Sequence, residues 1–95
     1  MTNNHHNSGT LHILNKAPEH PRFAACLEAL SPSDTLVLIE NAVLACASVP
    51  LPDQSLALTA DIKARGLTAS CEGIQTIGYG DLVQLTETHT KIISW

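Results

Sequence analysis

Three cysteines and five histidines carry the richest chemistry in this chain. A thiolate is a nucleophile, a metal ligand or a carrier of sulfur, so Cys26, Cys46 and Cys71 are the first candidates. Cys26 lies in "PRFAACLEAL", where Phe23, Leu27 and Leu30 recur at helical spacing on the same face. In that phase a cysteine is first of all a small buried hydrophobe. Cys46, in "LACAS", has small neighbours that suit tight packing or an interface. Cys71 follows the polar turn "TAS" and reads as the most exposed of the three, with no base nearby in sequence to activate it. An odd number of cysteines, none close to another along the chain, argues against a disulfide framework and against a zinc knuckle. Free thiols fit a reducing cytoplasm.

The histidines do not make a ligand set. His5 and His6 are adjacent in a polar lead-in, His12 alternates away from Leu11 and Ile13 in a strand-like stretch, and His20 sits among prolines. His89 ends a helical stretch, where the negative end of the helix dipole favours it. A metal centre needs three or four such groups to converge, so neither a metal nor a cofactor is expected. "GYGD" (residues 78–81) lacks the lysine and the glycine spacing of a phosphate loop and reads as a strand-to-helix turn. Ser8, Ser31, Ser33 and Ser48 have no G-x-S-x-G setting. On residue chemistry alone, the chain holds no self-contained active site.

The elements that must position these groups alternate along the chain. Residues 1–9 read as a disordered lead-in and 10–95 as one domain. "TLHILN" is a first strand, broken by "KAPEHP"; Pro21 suits the first turn of the helix that follows. "TLVLIE" is a continuous apolar run, the mark of a central strand covered on both faces. "NAVLACA" supplies one or two helical turns, and Pro50 and Pro52 mark a loop. "SLALT" is a third strand, followed by the short helix "ADIKARG", with Thr59 placed to cap it and Gly66 to end it. "IQTIGYG" holds a fourth strand, "DLVQLTETH" a last helix, and "KIISW" an edge strand whose Trp95 ring packs. The alternation predicts an α/β domain with a mainly parallel sheet. A formal charge of −4 gives no electrostatic case for direct contact with nucleic acid, and neither a secretory leader nor a membrane-spanning run is read.

Four stretches, in order, add a family resemblance: "LHILNKAP", "DTLVLIENAV", "LTADIKARGL" and "YGDLVQLTETHTKIISW". From about Leu11 to Trp95 the chain resembles the TusB/DsrH family. The resemblance implies a DsrE-like three-layer fold, a mainly parallel sheet flanked by helices. It implies the smallest subunit of a hetero-hexamer, beside TusC/DsrF-like and TusD/DsrE-like sister chains, that carries persulfide sulfur to a TusE/DsrC-like acceptor. In the larger sister chains the reactive cysteine ends the strand ahead of a similar helix that closes in Arg-Gly. Here that helix closes at Arg65 and Gly66, and the thiol's place falls near Leu58. The corner is therefore expected without its nucleophile.

Two pathways follow from the resemblance. One is a non-catalytic or accessory subunit of a TusBCD-like sulfurtransferase complex supporting 2-thiolation of the tRNA wobble uridine. The other is a DsrH-type subunit of a DsrEFH-like complex in dissimilatory sulfur oxidation. DsrH-type chains carry a cysteine in a segment that resembles "FAACLEAL", which makes Cys26 a candidate persulfide site. A third reading, independent of the family, is a standalone α/β domain that binds a metabolite at its strand ends.

Overall fold

The computed structural model describes residues 7–95. Strands β1 (Asn7–Leu14), β2 (Thr35–Leu38), β3 (Ser55–Leu58), β4 (Gln75–Ile77) and β5 (His89–Ser94) alternate with helices. The helices are α1 (Pro21–Ala29), a 3-10 helix (Glu40–Ala47), α2 (Thr59–Ala64) and α3 (Tyr79–Thr88). The strands form one five-stranded sheet in the order β4-β3-β2-β1-β5, with each neighbouring pair parallel. This is the three-layer α/β architecture expected from the sequence.

The topology explains why the layers are unequal. From β1 to β4 the chain steps in one direction, and α1, the 3-10 helix and α2 all lie on one face. After β4 the direction reverses, because β5 docks beside β1 at the far edge. A right-handed crossover then places α3 on the opposite face. On the thick face Leu14, Leu36, Leu38 and Ala57 pack against Phe23, Cys26, Ala42, Val43, Ala45 and Ile62. On the thin face Leu11, Val37, Leu58 and Ile77 pack with Leu82 and Leu85 of α3 and with Ile13, Ile39 and Leu56. Leu36, Val37 and Leu38 are all wholly buried, as the unbroken apolar run of a central strand requires. In contrast, α3 has no buried residue, and its Tyr79 and Val83 are 62% and 55% exposed.

Local signals set the element ends. Pro21 occupies the first turn of α1, and the Nδ1 of His20, the N-cap, accepts from the Arg22 N–H at 3.0 Å. At the end of α2, Gly66 adopts φ +66°, and the N–H groups of Gly66 and Leu67 reach the carbonyls of Lys63 and Ile62. That pair of bonds is a Schellman motif, which needs the left-handed residue that glycine supplies. Thr59 does not cap α2: Leu58 holds the N-cap position, and Thr59 is already the first helical residue. Ala42 and Ala45 of the 3-10 helix are buried in the core, so their small size serves internal packing. Strand β1 begins at Asn7, inside the stretch read from the sequence as a lead-in; His5 and His6 lie outside the described residues. No helix among the described residues is long and apolar enough to cross a membrane.

Candidate functional site

The corner between β3 and α2 lies at the carboxyl end of the sheet, where open α/β folds place their chemistry. Leu58 fills it. Its side chain is 2% exposed and packs with Leu11, Val37 and Ile77 on the thin face. Around it stands a polar brace rather than a nucleophile. The Asp61 carboxylate accepts from the Glu40 N–H at 2.7 Å, and Arg65 donates to the Asn41 side-chain oxygen at 3.1 and 3.3 Å. Asp61 and Arg65 form an ion pair at 3.6 Å. The brace ties α2 to the start of the 3-10 helix and holds Glu40 at φ 50°, a left-handed conformation unusual for a residue with a side chain.

Cys26 is fully buried on α1, among the thick-face core residues. Burial pushes its thiol up to about 11, so at neutral pH the group is protonated. A protonated thiol beneath a helix is neither a ready nucleophile nor a ready acceptor of sulfur.

The other two cysteines border one cavity, which their separation in sequence gave no reason to expect. Cys46 lies in the last turn of the 3-10 helix and Cys71 in the turn region after α2; Cys71 belongs to the thick-face core and Cys46 packs against that core. Cys71 is buried rather than exposed, at 4%, and Cys46 is half-buried. Burial first, and the neighbouring Cys71 second, push the Cys46 thiol up to about 12. Both thiols line a cavity of about 490 Å³ at the amino end of β3, together with Ser55, Asp53 and Gln75.

A third polar cluster binds Trp95 to the sheet. Trp95 Nε1 donates to His12 Nδ1 at 3.0 Å, and His12 Nε2 meets the Asp34 carboxylate at 2.9 Å. An indole N–H can only donate, so Nδ1 accepts and the imidazole proton sits on Nε2, pointing at Asp34. Asp34 also accepts from the Thr10 and Ser31 N–H groups at 2.9 and 3.0 Å. Burial alone would raise the Asp34 carboxyl, but these N–H groups and His12 outweigh it and hold it down at about 2. The Trp95 ring stacks on His12 at 6.0 Å between centroids, and the Arg22 guanidinium lies 5.8 Å from the Trp95 ring.

Known proteins share this sequence across nearly its whole length. The family model described as DsrH like protein matches residues 16–92. The protein named Protein TusB from Escherichia fergusonii is 37% identical over 94 residues, covering 90% of this chain and 99% of that protein. Proteins of the same name from Escherichia coli and Shigella boydii are 36% identical with the same coverage. The chain belongs to the TusB/DsrH family. Within this TusB/DsrH chain, the one residue singled out from sequence, Cys26, stands apart from the Cys46–Cys71 pair and from the leucine-filled corner.

Sequence reasoning missed the two clusters for different reasons. His12 is buried in β1, and a buried histidine implies a partner; the partner, Asp34, immediately precedes the next strand. That signal was present in the sequence. The shared cavity of Cys46 and Cys71 depends on how the turns after α2 fold beside the 3-10 helix, and no periodic pattern encodes that.

Proposed function

We propose that this chain is the accessory, non-catalytic subunit of a sulfur-relay hetero-oligomer. In this reading it joins TusC/DsrF-like and TusD/DsrE-like chains in a hetero-hexamer that passes persulfide sulfur to a TusE/DsrC-like acceptor. The pathway is 2-thiolation of the tRNA wobble uridine, in the cytoplasm. The observation that carries this is the β3–α2 corner, which keeps the strand-to-helix geometry but places buried Leu58 where a sister chain would carry a thiol. A subunit so built supports chemistry housed in its neighbours. The thin face favours the same reading: α3 buries no residue, and Tyr79, Val83 and Ile92 are open to a partner. The names of the relatives support the Tus pathway.

The test is co-production with the two sister chains, followed by size-exclusion chromatography with light scattering. One stable species with all three chains in equal amounts is expected, and the chain made alone should be poorly soluble or self-associated. Loss of 2-thiouridine from tRNA in cells without this chain would place it in the thiolation pathway. A stable monomer that ignores the sister chains overturns the subunit reading and favours the standalone binding domain. Cys26 supports a second reading, a DsrH-type subunit of dissimilatory sulfur oxidation in which Cys26 receives sulfur. That reading requires added sulfur on Cys26 when the assembled protein meets a persulfide donor.

A further inference from the structure

We propose that His12 is a proton-operated latch: when its Nδ1 takes up a proton, the Trp95 ring leaves its seat on the sheet while the strands stay paired. The placement of the two rings carries this. Trp95 Nε1 donates to His12 Nδ1 at 3.0 Å, so the latched state requires that nitrogen to be bare. A proton there sets two N–H groups against each other. An N–H bond points outward in the plane of its ring, so the imidazole nitrogen lies at the edge of the indole, although the two ring planes are within 20° of parallel. The edge is the positive side of an aromatic quadrupole, so an imidazolium held there gains no cation–π attraction. The other ring nitrogen offers no escape. His12 Nε2 meets the Asp34 carboxylate at 2.9 Å, and a charged imidazole strengthens that bond and keeps the ring where it is.

Of the three partners, Trp95 is the one free to yield. His12 and Asp34 are buried, and the N–H groups of Thr10 and Ser31 fix the Asp34 carboxylate. Trp95 is only half-buried, packed against the thick-face core from its margin, so its side chain can rotate into water, which accepts the indole N–H. Its backbone is held separately. The Trp95 N–H donates to the Ile13 carbonyl and Lys16 Nζ donates to the Trp95 carbonyl, each at 2.8 Å. The charges around the imidazole come from three sides. Asp34, ahead of β2, touches it and favours the proton. Arg22 of α1 and Lys16 after β1 oppose a further positive charge, but they contact Trp95 rather than the imidazole. Cys26 of α1 belongs to the same layer and is uncharged, its thiol pushed up to about 11. The Asp34 carboxyl is held down at about 2, so it stays ionised wherever histidine takes up its proton. The net change is one proton taken from water, one hydrogen bond within the protein broken and one to water formed. Exposure of the chain's single tryptophan is thereby tied to acidity.

The experiment follows the full-length protein, in its assembly or alone, from about pH 8 to about pH 4.5, which spans the range in which histidine changes charge. Trp95 is the only tryptophan of this chain, so its emission reports the latch; in an assembly, the spectrum of a Trp95→Phe preparation is subtracted. As the pH falls, the emission maximum should move toward that of indole in water and acrylamide should quench it more strongly. Far-ultraviolet circular dichroism should hold. Exchange of the His12 C2 hydrogen, read by mass spectrometry, should titrate with the same midpoint. His12→Gln keeps an oxygen for the indole and an NH₂ for Asp34 but takes up no proton, so its Trp95 emission should ignore pH. His20→Asn should leave the shift in place. Four results would each overturn the proposal: a maximum that stays blue-shifted down to about pH 4.5; dimming without a shift, as when an imidazolium quenches an indole that has not moved; a shift that survives in His12→Gln; or a shift that comes only with loss of circular dichroism. Comparing the His12 titration with the Trp95 shift in wild type decides the matter even where a variant fails to fold.

Discussion

Replacing Asp34 by Asn tests whether the His12–Asp34–Trp95 cluster holds the fold together. The carboxylate accepts three bonds: Thr10 N–H on one oxygen, and Ser31 N–H and His12 Nε2–H on the other. An amide has a single oxygen, so either orientation turns its NH₂ toward a donor. His12 cannot relieve the conflict by changing tautomer, because its Nδ1 already accepts from Trp95. The cost at pH 7 should be about 2–4 kcal/mol, from a lost charge-assisted bond and a buried donor left unpaired. A chain of this size has a urea slope of about 1 kcal/mol/M, so the midpoint should fall by about 2–4 M. The pH dependence gives a second readout. The folded carboxyl is depressed to about 2 from its ordinary value of 3.8, so its contribution is complete above pH 3.8 and is lost as pH falls through 2. That contribution is about 2 kcal/mol. The wild-type urea midpoint should therefore drop between pH 4 and pH 2, and Asp34→Asn should lack this part of the drop. Urea titrations would follow Trp95 fluorescence and far-ultraviolet circular dichroism, at concentrations where the midpoint does not depend on protein amount. A variant within about 0.5 kcal/mol of wild type at pH 7, the scatter of ordinary surface changes, would refute the reasoning, as would an unchanged acid limb.

Trp95→Phe keeps a ring on His12 but strands its buried Nδ1, so a loss of about 1–3 kcal/mol is expected in the same assay. The wild-type Trp95 emission should be blue-shifted from a water-exposed indole, and a water-like maximum would contradict the packing described. Gly9→Ala places a Cβ inside the van der Waals shell of the Ser33 carbonyl, a backbone atom with little freedom to retreat. It should cost about 2 kcal/mol or more, read from thermal unfolding, and an unaltered melting temperature would show that β1 shifts freely. Cys26→Ser puts a hydroxyl in an apolar site, which should destabilise by about 1–3 kcal/mol while leaving subunit assembly intact. If Cys26 carries sulfur, the same variant should also show less added sulfur by mass spectrometry after exposure to a persulfide donor. Equal loading would return Cys26 to a packing role.

The strands were legible because their apolar runs have a period and a length. "TLVLIE" announced β2 as a central strand, and Leu36, Val37 and Leu38 are indeed wholly buried. Pro21 and Gly66 marked a helix start and a helix end by backbone rules that need no tertiary context. Thr59 failed as a cap because α2 begins one residue earlier than cap preference implies, leaving Leu58, the last residue of β3, at the N-cap. The leucine at the corner followed from the family resemblance. Composition alone could not have located it. Cys71 was misjudged as exposed because a polar turn in sequence can fold inward once a helix lies over it. Its place beside the same cavity as Cys46 is a product of tertiary packing and left no trace along the chain.

The order β4-β3-β2-β1-β5 also has a temporal side. Strands β1 to β4 pair with their neighbours in the order in which they are synthesised, each new strand extending the edge made before it. Only β5 must travel back, since Leu11 pairs with Ile92 and Ile13 with Ser94. Until residues 89–94 have been made and have crossed the sheet, β1 offers a bare row of N–H and C=O groups to any strand that comes near. That strand could belong to a second nascent copy, which would give an exchanged dimer. Such a chain is safest when β1 is covered early, and the slowest step in its maturation should be the return of its own fifth strand.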